Sequence, residues 1–139
     1  MIGAIIAMRK AYSTLDYLNR GNLTAYLANW AENAAFIYPG NLSVSGKIEG
    51  REAIEAWFKN FTKRFPKVNI TPHKVYVQNI FALGNTNAVA VEWDVTVTDR
   101  EGREFANSGI TTINVEKGKV TLVRHHVFDA EALRRLWGE

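Results

Sequence analysis

Three histidines occur in this chain, and two of them, His125 and His126, stand side by side in "VRHHVFDAEAL". A histidine changes charge near neutral pH, so it can take or give a proton. Upstream, "AVAVEWDVTVT" carries Glu92 and Asp94 two residues apart, a spacing that puts both carboxylates on one face of a strand. An imidazole beside a carboxylate is the pairing that general acid–base chemistry needs. One of these carboxylates with one of the two histidines is therefore the candidate proton-transfer pair. Adjacent strand residues point to opposite faces, so only one of the two histidines looks inward unless a bulge intervenes. Asp129, just before "AEAL", reads as the N-cap of a last helix rather than as a catalytic acid. His73 follows Pro72 and is expected at an exposed edge. No H-x-H or H-x-x-x-H spacing gathers three ligands, so no metal is expected, and no cofactor.

These residues need elements to hold them. Residues 2 to 20 read as a helix with Ile5, Met8, Tyr12, Leu15 and Leu18 on one apolar face. Gly21 suits a left-handed helix end and Asn22 the cap of a second helix, with Leu23, Leu27 and Trp30 on one side. "AAFIYPG" reads as a short strand ended by Pro39 and Gly40, and "NLSVSGKIEG" as a loop or hairpin. From Arg51, the spacing of Ile54, Trp57, Phe58, Phe61 and Phe65 predicts an amphipathic helix stopped at Pro66. "VNITPHKVYVQNIFAL" is a strand region whose first part Pro72 makes an edge or a bend. "AVAVEWDVTVT", "FANSGITTINV" and "VTLVRHHVF" follow as strands joined by the turns "DREG" and "EKGK". Helices gathered on one side of a curved antiparallel sheet make an α+β cone with a central pocket between sheet and helices.

The length of 139 residues points to one domain, residues 1 to 139. The absence of cysteine excludes disulfide scaffolds, thiolate metal sites and cysteine nucleophiles, and fits a cytoplasmic location. Net charge is +3. Lys59, Lys63, Arg64 and Lys67 cluster, but acidic residues are interspersed, and no nucleic-acid partner is expected. "MIGAIIAMRK" lacks a basic start and is expected to open a helix rather than serve as a leader. No stretch approaches the ~20 apolar residues of a membrane span, so no membrane partner is expected.

"LNRGNLTAYLANWAENAAFIYPG", "GKIEGREAIEAWFKNF" and "GKVTLVRHHVFDAEAL", in that order and spacing, resemble the nuclear transport factor 2-like superfamily and its SnoaL-like, ketosteroid-isomerase-like branch. The resemblance covers nearly the whole chain. It implies a cone-shaped barrel with a deep pocket, commonly a homodimer, and no single reaction. Ketosteroid isomerases place an aspartate base before the proline that ends the first strand, where this chain has Tyr38. Their oxyanion tyrosine falls on Thr14, with Tyr12 close by, and their later aspartate on Thr111, so steroid isomerisation is not expected. Limonene epoxide hydrolase is closer in pattern. Its Arg-x-Asp falls on Glu92-Trp93-Asp94, and its tyrosine on Tyr38. Its last-strand aspartate falls on His126 when counted back from "FD", and on His125 when counted forward from Gly118.

Facing remains to be decided. Periodicity alone puts Val89, Val91, Trp93, Val95 and Val97 inside. The resemblance instead puts Glu92, Asp94 and Thr96 in the cavity, with His126 beside Asp94, which makes Asp94 and His126 the expected proton-transfer groups. The Val/Trp face would then be outward and too apolar for a monomer, which implies a homodimer through the sheet. The second arrangement is the expectation taken forward. On the next strand Phe105, Asn107, Gly109, Thr111 and Ile113 are expected inward. Tyr38, Glu92, Asn107, Thr111, Trp30 and Trp57 are then the expected substrate-binding residues. The expected function is acid–base chemistry on an apolar small molecule, of isomerase, cyclase or hydrolase type. The alternative is a non-catalytic ligand-binding domain or dimeric scaffold.

Overall fold

A computed structural model describes residues 2–80 and 86–139, with only the backbone at positions 2, 3, 4 and 7. The chain runs α1 (Ile2–Asn19), α2 (Leu23–Leu27), β1 (Trp30–Tyr38), β2 (Gly46–Glu49), α3 (Arg51–Arg64), β3 (Lys67–Val77), β4 (Thr86–Thr98), β5 (Glu104–Glu116), β6 (Lys119–Val127) and α4 (Ala130–Trp137). The strands form one curved sheet in the order β2-β1-β6-β5-β4-β3. Neighbours are antiparallel except β1 and β6, which run parallel where the last strand returns beside the first. The α+β cone expected from the sequence is the observed architecture. No helix among the described residues is long and apolar enough to cross a membrane.

Local chemistry explains the boundaries. Gly21 takes the left-handed conformation at φ 72° that ends α1. Asn22 caps α2 by accepting from the Ala25 N–H. That helix stops at Leu27, so Trp30 opens β1 rather than sharing a face of α2. Asn19 pins the end of α1 to the sheet, donating to the Ile70 carbonyl at 2.9 Å and accepting from the Ile70 N–H at 2.7 Å. The apolar face of α1 differs from the expected one. Ala11 and Leu18 are buried, while Ile5, Met8 and Tyr12 are exposed, because the helix packs on β3 and α2 through its C-terminal half. In α3, Ile54, Phe58 and Phe61 are buried at spacings of three and four, as its amphipathic pattern predicts. Pro72 lies within β3, an edge strand, where its missing N–H costs nothing, and the register shifts between Pro72 and Lys74. The stretch at 81–83, expected to continue this strand region, lies outside the described residues.

The expected facing of β4 is corrected. Val89, Val91, Trp93 and Val97 are buried under the helices, and Glu92 and Asp94 point to the uncovered outer face. The reason is pairing. Trp93 sits opposite Gly109, and Val91 opposite Thr111. Directly opposed residues share a face, so inward Gly109 and Thr111 oblige Trp93 and Val91 to be inward as well. His126 is paired with Ile110, which is paired with Glu92, so it too is on the outer face, and His125, opposite Thr111, is inward. The Val/Trp face is thus core, and it gives no argument for a dimer.

Gly109 matters to this core. A Cβ there would come within 2.8 Å of two Trp93 ring carbons and would run into the His126 carbonyl. The indole lies across the bare glycine backbone. Gly109→Ala is expected to destabilise by about 1–3 kcal/mol, the usual cost of overpacking, measured by chemical denaturation. An unchanged midpoint would mean that the indole is free to move. Asp129 caps α4 by accepting from the Ala132 N–H at 2.9 Å. Asp129→Ala should cost about 0.5–2 kcal/mol, while Asp129→Asn, which also caps, should be close to neutral in the same assay.

Candidate functional site

The inner face of the sheet and the helices enclose a cavity of about 410 Å³. Its walls are mainly apolar, with Trp30, Val89, Val91, Ile113 and Val123 among them. Lys10 and Tyr17 of α1 and Tyr26 of α2 also line it, and no Asp or Glu of the described residues does. A smaller space of about 70 Å³ lies among Tyr38, Trp57, Phe61, Asn107 and Leu133. His125 and Trp93 line both.

A short polar chain crosses the cavity wall. The Trp93 Nε1–H donates to Thr111 Oγ1 at 2.8 Å, and Thr111 Oγ1 lies 2.7 Å from His125 Nδ1. Thr111 is buried and its hydroxyl hydrogen needs an acceptor. His125 Nδ1 supplies one, which puts the imidazole hydrogen on Nε2. No buried side-chain nitrogen or oxygen among the described residues lacks a partner. Nε2 makes no hydrogen bond to the protein and is therefore an accessible polar atom, on a ring that lines both spaces. Burial holds the His125 pKa down at about 4, with the charge of neighbouring His126 acting in the same direction. The ring is neutral at pH 7 and presents an N–H donor. Burial also pushes the Tyr26 phenol far above its ordinary pKa, so it stays protonated. Its hydroxyl, likewise without a protein partner, is a second polar atom on the cavity.

The sequence-predicted residues divide among three places. Trp30 and Thr111 line the larger cavity, and Tyr38, Trp57 and Asn107 the smaller. The Tyr38 hydroxyl accepts from Trp137 Nε1 at 3.0 Å, and burial pushes its pKa up to about 12 despite that bond. Trp57 Nε1 donates to the Val44 carbonyl at 3.1 Å. Asn107 ties β5 to the start of α4, donating to the Asp129 carbonyl at 2.9 Å and accepting from the Asp129 N–H at 3.2 Å. Asp94, Glu92 and His126 are outside. His73, not His126, meets Asp94, with Nε2 donating to Oδ2 at 2.6 Å, and the Ser108 hydroxyl donates to Oδ1. The Ser108 bond first, then His73, hold the Asp94 carboxyl below its usual range. This Asp bridges a serine and a histidine, so it activates neither as a nucleophile. Tyr76 donates to Glu92 at 3.3 Å.

Sequence reasoning preferred His126 to His125 and passed over Tyr26. The signal for His125 was the count forward from Gly118, and with it the strict apolar alternation of β4. Tyr26 carried no local signal, since one tyrosine in a five-residue helix has no pattern. No group of three or more His, Cys, Asp or Glu among the described residues could hold a metal ion.

Known proteins provide a frame for this geometry. No curated protein sequence matches the chain. Bal32a, from a soil-derived mobile gene cassette, superposes with a TM-score of 0.80 at 20% identity, over 97% of this chain and 98% of that one. TerC, co-crystallised with polyporic acid, gives 0.75 at 14% identity, over 95% and 98%. A Δ5-3-ketosteroid isomerase from Mycobacterium sp. gives 0.71 at 17% identity, over 94% and 95%. At such identities these likenesses establish the shared fold. The family model for the SnoaL-like domain matches residues 11–123, from the buried turn of α1 to the strand that carries the histidines. Because that match takes in most of the sequence, the chain belongs to the SnoaL-like domain family.

Proposed function

We propose that the chain binds an apolar small molecule bearing a hydrogen-bond acceptor, such as a carbonyl oxygen, in the larger cavity. The observation that carries this reading is His125: an imidazole on the wall of the apolar cavity whose Nδ1 is held by Thr111, itself held by Trp93, and whose Nε2 is unbonded to the protein. A fixed N–H in a water-poor space polarises a carbonyl more strongly than water does. The Tyr26 hydroxyl supplies a second donor on the same cavity. The lining has no carboxylate among the described residues, so no strong base is paired with these donors. The chemistry supported best is binding with carbonyl polarisation, and proton handling moves in our reading from Asp94 and His126 to His125. TerC with polyporic acid, and an isomerase, are similar structures and lend the cavity reading support.

A neutral fluorescent naphthyl ketone is a suitable probe. It should bind saturably with blue-shifted emission, and Ile113→Trp, which narrows the cavity, should abolish binding. His125→Leu should weaken the ketone by about 0.5–1.5 kcal/mol, the net value of one hydrogen bond, and leave the matching hydrocarbon unaffected. Equal losses for ketone and hydrocarbon, or binding that survives Ile113→Trp, would overturn the proposal.

His125 also sets a pH dependence. Its folded pKa of about 4 lies below the ordinary value of 6.5. Between those values the unfolded chain binds the proton that the folded chain refuses, so stability rises with pH there. The contribution is complete above about pH 6.5 and is lost as pH falls toward 4. Its size is about 3 kcal/mol. Denaturation between pH 4 and 7 should show this slope, flattened in His125→Gln. An identical slope in the variant would assign it elsewhere.

We further infer a homodimer through the outer face of the sheet. Phe128 is 62% and Tyr76 50% exposed at this face, beside half-buried Ile110 and Leu122. Light scattering should give twice the chain mass at micromolar concentration, and Ile110→Lys should give monomers. A monomeric wild type would refute this.

A further inference from the structure

At the end of the molecule where α3, α4 and the β4–β5 turn meet lies an open groove of about 610 Å³. Five cationic side chains line it, Lys63, Arg64, Arg100, Arg103 and Arg135, against two carboxylates, Asp99 and Glu101. The excess of three equals the formal net charge of the whole chain. Both carboxylates are taken by one residue, Arg103, at 2.7 Å from Asp99 and 3.4 Å from Glu101. Glu139 lies near Arg64, but its carboxylate is bonded to the Ser43 N–H and hydroxyl. No ion pair engages Lys63, Arg64, Arg100 or Arg135 among the described residues.

Cations in the last turn of a helix complement its dipole, which by itself accounts for Lys63, Arg64 and Arg135. Arg100 is different. It comes from the β4–β5 turn, and its Nε donates to the Lys63 carbonyl at 2.8 Å. That bond holds the guanidinium and leaves its two terminal nitrogens free. Arg64 is held as well, by donation to the Trp137 carbonyl at 2.6 Å and by stacking over the Trp137 ring. Two positioned guanidiniums in a concave, positive setting match the paired oxygens of phosphate groups. Among the described residues the rings that line the groove, Phe65 and Phe105, are buried or half-buried, so nothing stands out for a nucleobase to stack on.

We propose that this groove is a second ligand site, separate from the apolar cavity, that takes a small phosphate-bearing molecule through its phosphate groups. Inorganic pyrophosphate is the probe, titrated calorimetrically at low ionic strength. One saturable site is expected, weakened by added salt. Arg135→Gln, whose side chain makes no bond to the rest of the protein, should weaken binding severalfold, and Arg100→Gln with Arg135→Gln by about tenfold or more. Lys47→Gln, outside the groove, should change nothing, and ketone binding in the cavity should be unaffected throughout. Absence of saturable binding, unchanged affinity in the double variant with unchanged melting temperature, or tighter binding of a single-stranded oligonucleotide than of pyrophosphate would each overturn the assignment.

Discussion

The contact between the Trp93 indole and the bare backbone of Gly109 organises the site. Only a residue without Cβ opposite Trp93 lets the ring lie across β5. From there the indole nitrogen reaches Thr111, one inward position along. Thr111, holding that bond, turns its hydrogen toward His125, and the tautomer of the imidazole follows. The donor on His125 is thus set by packing between two strands, through the two hydrogen bonds that Thr111 makes.

The two faces of the sheet treat polar groups in opposite ways. Inside, polar atoms are few, and apart from Lys10 none of the described residues that line the cavity is charged. His125 is kept neutral by burial, and Tyr26 and Tyr38 are kept protonated by it. Outside, Asp94 gathers Ser108 and His73 around an ionised carboxylate in contact with water. The same two residue types, histidine and a hydroxyl side chain, therefore form a neutral chain on one face and flank a carboxylate on the other. Solvent exposure, not residue type, decides between them.

The helix ends add a third environment. The C-termini of α3 and α4 converge beside the β4–β5 turn, and each brings carbonyl groups and cations. Arg64 and Arg100 tie those elements together by donating to carbonyls of the helix ends, Trp137 and Lys63. Arg64 thereby adds one tie between α3 and α4, beside those that Asn107 and Tyr38 make to the last helix.

Much of the architecture was legible in the sequence because it rests on local periodicity and punctuation. The amphipathic spacing of Ile54, Phe58 and Phe61, the left-handed Gly21, the caps Asn22 and Asp129 and the alternation of β4 all act within a few residues. The inward set of β5 was legible too. The facing of β4 was readable from its own valines, but the family pattern pointed the other way. Pairing decided it, because Trp93 opposite Gly109 must share that residue's face. The same holds for the histidines. Which of His125 and His126 turns inward depends on the register of β6 on β5, set by contacts that span about a dozen residues of chain. That His73 meets Asp94, and that Tyr26 and Arg100 stand where they do, follows only from tertiary packing. The partners of His73 and Arg100 lie far away in sequence, as do the strands of the cavity that Tyr26 lines, and no local pattern encodes them.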